Sequence, residues 1–233
     1  IIGTMKWIKI LLITLIPFGL YYIMSKELHI KDITLPPLGN FFNPFSGFMA
    51  NASPVVDPTR FSTLPLKELR DSADVYVDEK GVPHIFAKNQ EDALFVQGYI
   101  TAKDRLWQMD LATRATEGTL SEVFGSKTFE FDKAQRRLGL KFAAENAVVG
   151  WKKFPEATRL LQRYVDGVNA YIDQLEPKDY PLEYKLMNFK PTHWNMVRSA
   201  LFVKSMAKVL CRTEFDVELT NLRSILGDAL FAD

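Results

Sequence analysis

One cysteine, Cys211, in 233 residues excludes an internal disulfide framework and any site built from several thiolates. At that count it reads as a small buried apolar side chain rather than a nucleophile. Net charge is equally scarce: 29 Lys and Arg stand against 28 Asp and Glu, a formal charge of +1. Lys6, Lys9 and Lys26 against Glu27 give the first 28 residues a net +2, which leaves the rest of the chain at −1. A near-neutral body with mixed charges gives no electrostatic reason to bind nucleic acid, so no such partner is expected. No repeat of fixed period and no low-complexity tract is visible. There are three histidines, and none stands with a recognisable nucleophile and orienting acid, which argues against a complete small hydrolase. His84, between Pro83 and Ile85, reads as a packed, hydrogen-bonded side chain.

What the sequence does have begins with an apolar run. Ile10 to Met24 contain no charge, and Ile8 extends the run across Lys9. About seventeen helical residues rise roughly 25 Å, just short of a hydrocarbon core of about 30 Å, so the span is minimal. Trp7 at one end and Tyr21 and Tyr22 at the other suit the two interfaces, and Lys6 and Lys9 before the run put the N-terminus on the cytoplasmic side. Pro17 is tolerable in such a helix, as a kink. A cleaved signal peptide has the same charge pattern, but no small-x-small site follows Met24. The expectation is an uncleaved transmembrane signal-anchor over 5–26.

A connector over 27–64 follows. Pro36, Pro37, Pro44, Pro54 and Pro58 deny it a helix or a central strand, so it reads as extended. Phe41, Phe42, Phe45 and Phe48 are more aromatic surface than a solvated linker exposes. Packing along the body is expected, with contact to a membrane or a partner as the alternative.

The body runs over 65–233. Asp74 to Asp78 alternates, Gly81 turns, and Pro83 to Ala87 follows, which reads as a hairpin. The period then becomes helical: Phe95, Tyr99, Ala102, Leu106 and Met109 fall on one face of a long helix, with Asn89 as its start signal. Asp104 and Arg105 are expected to pair on it, with Arg114 and Glu117 nearby. Pro155 opens a second helix whose Leu161, Tyr164, Val168, Ile172 and Leu175 share a face, and Pro177 ends it. Residues 196–210 and 215–227 read as two more. The fold class is therefore α+β and mostly helical.

Certain pieces follow one another in a telling order: Asp78-Glu79-Lys80-Gly81-Val82-Pro83-His84-Ile85, Gly98-Tyr99-Ile100, Ala102 to Met109 (AKDRLWQM), Glu117-Gly118, and Ser121 to Gly125 (SEVFG). Tyr164 to Ala170 (YVDGVNA), Pro181-Leu182-Glu183 and Trp194 continue the series. Over residues 65–230 this order and spacing resembles the α-chain of the penicillin amidase family of N-terminal-nucleophile hydrolases.

The resemblance implies the α-chain half of an αββα fold, whose precursor cuts itself into an α-chain, a spacer and a larger β-chain. The β-chain of that family begins with a serine, sometimes a cysteine, so no catalytic residue is expected in this chain. It further implies one calcium ligand here, Glu218, within Arg212 to Leu226, which looks like the family's final α-helix. By itself Glu218 could equally be a surface glutamate, since calcium needs six to eight oxygens. Ser205 to Leu210 resembles the stretch that borders the acyl pocket, where Met206 and Leu210 would line it; at helical spacing they could equally be core. Penicillin G acylases carry an arginine–phenylalanine pair there and this chain has none in register, which argues against penicillin itself as substrate. The expected partners are the β-chain of the same precursor, a small N-acylated substrate and the membrane, with a larger membrane complex as a further prospect. The expected location is the bacterial inner membrane with the body in the periplasm. The alternative is a non-catalytic, membrane-anchored structural subunit of an envelope complex.

Overall fold

The computed structural model describes residue 13 and residues 15–30, 33–52, 63–210 and 216–231. Residues 15–24 are helical (α1). Of the expected anchor, residues 5–12 and 14 lie outside the described residues, and no helix among the described residues is long and apolar enough to cross a membrane. Two short strands follow, β1 (Leu28–Ile30) and β2 (Ile33–Leu35), paired antiparallel with Leu28 opposite Leu35. Residues 38–52 do not run extended. They coil into a compact loop that ends in a 3-10 turn over Phe48–Asn51.

The expected hairpin forms from β3 (Asp74–Val77) and β4 (Pro83–Phe86), with Tyr76 opposite His84. Gly81 sits at φ +77°, the left-handed conformation the turn needs. Asp78 closes the turn by accepting from Lys80 N at 2.9 Å and Val82 N at 2.9 Å. Its other oxygen meets His84 Nε2 at 3.1 Å. His84 is thus hydrogen-bonded as expected, but it is exposed rather than packed, because no residue of β3 is covered.

Helix α2 (Gln90–Glu117) and helix α6 (Pro155–Gln174) are the spine of the body. Asn89 caps α2 by accepting from Asp92 N at 2.8 Å. The five residues assigned to its apolar face, Phe95, Tyr99, Ala102, Leu106 and Met109, are all buried. Ala102, Leu106 and Met109 share a core with Val165, Val168 and Ile172 of α6, and the backbone of Phe95 and Tyr99 lies against Gly167. Contacts climb both helices together: Glu91 pairs with Arg159, Asp92 lies 3.7 Å from Arg163, and Tyr99 bonds Gln174 at 2.8 Å. The two helices therefore run parallel, which requires a crossover between them.

That crossover is a string of short helices, α3 (Ser121–Phe124), α4 (Phe129–Arg137) and α5 (Leu140–Trp151). The hydrophobic pattern did not announce α4 and α5. Phe129, Phe131, Phe142 and Val149 point outward, so their spacing marks no buried stripe. Asp132 fastens the crossover, accepting from Leu120 N at 2.9 Å and Ser121 N at 2.7 Å. Gly118 ends α2 at φ +75°.

After α6 come a 3-10 turn at Pro177–Asp179, α7 (Leu182–Leu186), α8 (Met196–Leu210) and α9 (Asp216–Phe231). Gly227 kinks α9 at φ 76°, ψ 162°. Ala200 and Leu201 bring α8 onto Ala144 of α5 as a second, smaller core. Asn169 and Trp194 exchange backbone–side-chain bonds at 3.0 and 2.7 Å, which ties YVDGVNA to the later tryptophan in space. Cys211 lies outside the described residues.

The ion pair expected at Asp104 and Arg105 does not form. Both are exposed, and Arg105 leaves helical geometry at φ −137°, ψ 15° and reaches Gln108 instead. The pair on this helix is one turn further on, between Asp110 and Arg114 at 3.1 Å. Glu117 pairs with Lys141 at 2.6 Å.

Candidate functional site

Helix α8 has two unlike sides. Ala200 and Leu201 are buried, whereas Phe202, Val203, Met206, Val209 and Leu210 form an exposed apolar stripe. Met206 is 50% exposed and Leu210 73% exposed, so neither is core of this chain. Their four-residue spacing sets them on one helix face. Val217, Leu219, Leu222, Ile225 and Leu226 make α9 apolar and exposed as well. Exposed apolar side chains gathered on a helix in this way mark contact with another molecule.

Glu218 is exposed on α9. Among the described residues no three His, Cys, Asp or Glu side chains converge on one point. Glu218 thus offers a single carboxylate where calcium takes six to eight oxygens, and these residues alone do not form a cage.

What anchors α8 is a buried charge cluster. Asp110, 1% exposed, accepts from Arg114 Nε at 3.1 Å and pairs with Arg198 of α8 at 3.1 Å. The Tyr184 hydroxyl donates to its other oxygen at 3.2 Å. Burial, and then the Asp110 charge, push the Tyr184 phenol far above its usual range, so it stays protonated and donating. One carboxylate thereby ties α2, α7 and α8 together. Arg114 continues to Glu122 at 2.9 Å. The outer edge of the cluster opens on a polar cleft of about 320 Å³ that Glu117, Thr192 and His193 also line. His193 meets Asp173 at 2.6 Å, and both are exposed. Among the described residues neither this pair nor Asp78–His84 is extended by a serine or cysteine, so neither has the makings of a triad. Sequence reasoning overlooked the Asp110 cluster: its one local signal was the four-residue spacing of Asp110 and Arg114, and Tyr184 and Arg198 come from α7 and α8.

These features define a mostly helical α+β chain with exposed apolar helix residues and an exposed hairpin. The penicillin amidase family model matches residues 72–233. The chain is 32% identical over 172 residues to penicillin G acylase of Escherichia coli, covering 71% of this chain and 20% of that protein. It is 32% identical over 151 residues to the acyl-homoserine lactone acylase QuiP of Pseudomonas fluorescens, covering 65% of this chain and 18% of that protein. Among solved structures, a thermostable penicillin G acylase from Alcaligenes faecalis superimposes with a TM-score of 0.58 at 30% identity, covering 69% of this chain and 89% of that one. The chain belongs to the penicillin amidase family. It spans about a fifth of the length of the curated relatives it matches.

Proposed function

We propose that this chain is the α-segment of an exported amide hydrolase that cleaves N-acyl amides through an N-terminal serine or cysteine on a separate β-chain. The observation that carries the reading is the exposed apolar stripe of α8, with Met206 and Leu210 on it, together with the exposed apolar residues of α9. Its size calls for a covering layer. The lengths fit as well: this chain covers most of the solved acylase chain and only a fifth of the curated acylases. The comparisons lend the structural-subunit alternative no support.

In this reading the catalytic groups belong to the β-chain. A free α-amine has a pKa of about 7.7–8.0, so near neutrality it can take the proton of its own residue's hydroxyl or thiol. The oxygen or sulfur attacks the amide carbonyl, the amine departs with a proton, and water releases the acyl group. Backbone and asparagine donors hold the oxyanion. This chain supplies Met206 and Leu210 as apolar wall for the acyl group, and the Asp110 cluster holds the helix that carries them. Glu218 supplies one carboxylate to a calcium site completed by the other chain. The apolar N-terminal run anchors the assembly in the bacterial inner membrane, with the body in the periplasm.

Intact-mass measurement and N-terminal sequencing of what co-purifies with the chain test this reading. A large second polypeptide beginning with serine or cysteine, and amine release from N-acylated substrates, are expected. A chain that purifies stable with no such polypeptide overturns it.

A further inference from the structure

The loop over 38–52 is built the wrong way round for a linker that simply packs on a protein surface. Several of its polar atoms bond to the body, while three of its four aromatic rings, Phe42, Phe45 and Phe48, are exposed. Lys185, 6% exposed, spends its three N–H groups on Gly47 O at 3.0 Å, Asn51 Oδ1 at 2.6 Å and Lys178 O at 2.7 Å. Asn51 Nδ2 donates to Tyr180 O at 3.0 Å, and Asn40 Nδ2 to Asn188 Oδ1 at 2.9 Å. Phe42 and Met49 stay exposed, and Phe45 at the tip is 85% exposed.

The rings are held in place. Phe41 and Phe48 stack at 5.3 Å, and Phe42 meets both edge-on. Asn43 Oδ1 accepts from Phe45 N at 2.9 Å and Ser46 N at 3.2 Å. Gly47 is required there, because a methyl group would run into the carbonyls of Phe41 and Asn43. An aromatic surface that is already fixed while exposed loses little further freedom on docking.

The loop is also fastened to the end of α1. Gly39 N donates to Met24 O at 2.8 Å, and a methyl group on Gly39 would lie 2.7 Å from Ser25 Oγ. Every described residue of α1 except Met24, which is half-buried, is exposed, and none is charged. A helix that is apolar all round and uncovered by its own protein suits lipid. Its last turn carries Tyr21 and Tyr22, and Lys26 Nζ lies 4.4 Å from the Tyr22 ring, the side chains of a membrane–water interface. From Ile33 to Val56 the sequence has no charged residue, so nothing repels the loop from that depth.

We propose that the loop carrying Phe42, Phe45 and Met49 is a second lipid contact, an interfacial aromatic surface beside the end of α1 that holds the body against the bilayer through Lys185. This rests on the reading of the N-terminal run as a membrane anchor. The test uses the full chain with whatever co-purifies, in phosphatidylethanolamine–phosphatidylglycerol vesicles. Cys211 is replaced by serine, and a fluorophore is placed in turn at Phe45→Cys, Phe18→Cys and the body control Tyr76→Cys. Nitroxide lipids and a water-soluble quencher are then compared. Expected is quenching of the Phe18 probe by deep nitroxides, with the Phe45 probe quenched by shallow nitroxides several-fold more than the Tyr76 probe. If the Phe18 probe lies in lipid while the Phe45 probe answers only to the aqueous quencher, the second contact is refuted and the anchor stands. A Phe45 probe shielded from both quenchers means protein covers the loop, and it too refutes the proposal. A Phe18 probe open to water removes the anchor and the proposal with it.

Discussion

Gly167 of α6 lies directly against the carbonyl of Phe95 on α2, and Gly98 of α2 lies as directly against the carbonyl of Tyr164 on α6. Each glycine presses its bare Cα onto the other helix's backbone, and the parallel helices close at these two points. A methyl group at either place would meet main chain, which cannot swing aside.

Gly167→Ala is therefore expected to cost about 1–3 kcal/mol, the usual penalty of overpacking. Thermal unfolding of the assembled protein is the check. Gly150→Ala is the control: a methyl group there meets no atom within 4 Å, so that variant should unfold at or above the parent temperature.

Asp92 makes the acid limb of stability predictable. Burial alone would raise its carboxyl, but bonds from Arg70 N, Asn89 and Asp71 N and the Arg163 charge hold it below the usual range. With the folded pKa depressed, the stabilisation is complete above the unfolded value of about 3.9 and is lost as pH falls through the lower folded value. Asp92→Asn, which leaves a backbone N–H short of an acceptor, should cost about 1–3 kcal/mol near neutrality. Its unfolding temperature should also fall less steeply than the parent's as pH drops below about 4.

The Asp110 cluster separates two kinds of loss. Tyr184→Phe removes one hydrogen bond and should cost about 0.5–1.5 kcal/mol. Asp110→Asn leaves the half-buried Arg198 beside a neutral amide and Arg114 with Glu122 alone, and since breaking a fully buried pair costs about 3–5 kcal/mol, a loss of about 2–4 kcal/mol is expected here. Denaturant unfolding of the two variants side by side should show that order. Equal losses would mean that the carboxylate's charge is not what joins α2 to α8.

The sequence showed best what is periodic and buried. Phe95 through Met109 named the inner face of α2 because apolar residues at steps of three and four line up only on a helix. Pro155 and Pro177 bracketed α6 closely. The crossover was illegible for the complementary reason. Phe129, Phe131 and Phe142 are apolar residues that this chain does not bury, so no buried stripe marks the helices that carry them. Lys185 could not be read as a buried cation, since Gly47, Asn51 and Lys178 come from distant or unremarkable positions. The family's marks were legible and turn out to be largely scaffold: Gly98, Gly118, Gly167, Asn169 and Trp194 shape helix crossings and ends.

If Glu218 ligates calcium together with a second chain, chelation should lower the unfolding temperature of the assembled protein by several degrees, and calcium should restore it. Glu218→Gln should begin near the chelated value and hardly respond. An equal response in parent and variant would return Glu218 to the role of a surface residue.

The proposed acyl pocket can be tested at Met206 without touching the chemistry. It is exposed on α8, so enlarging it should not strain this chain's core. Met206→Phe narrows any pocket it lines, and one methylene in an apolar pocket is worth about 1–3 kcal/mol, or about 10–200-fold in kcat/KM. The expected result is a loss of that size for long or aromatic acyl groups, little change for short ones, and an unchanged unfolding temperature. Arg198→Met, which frees α8 from Asp110, should instead lower kcat/KM for all acyl groups alike, because it moves the wall rather than reshaping it. A series of N-acyl amides differing only in acyl length, assayed with both variants, separates the two. A Met206→Phe profile parallel to the parent's would place Met206 in the contact between chains rather than in the pocket.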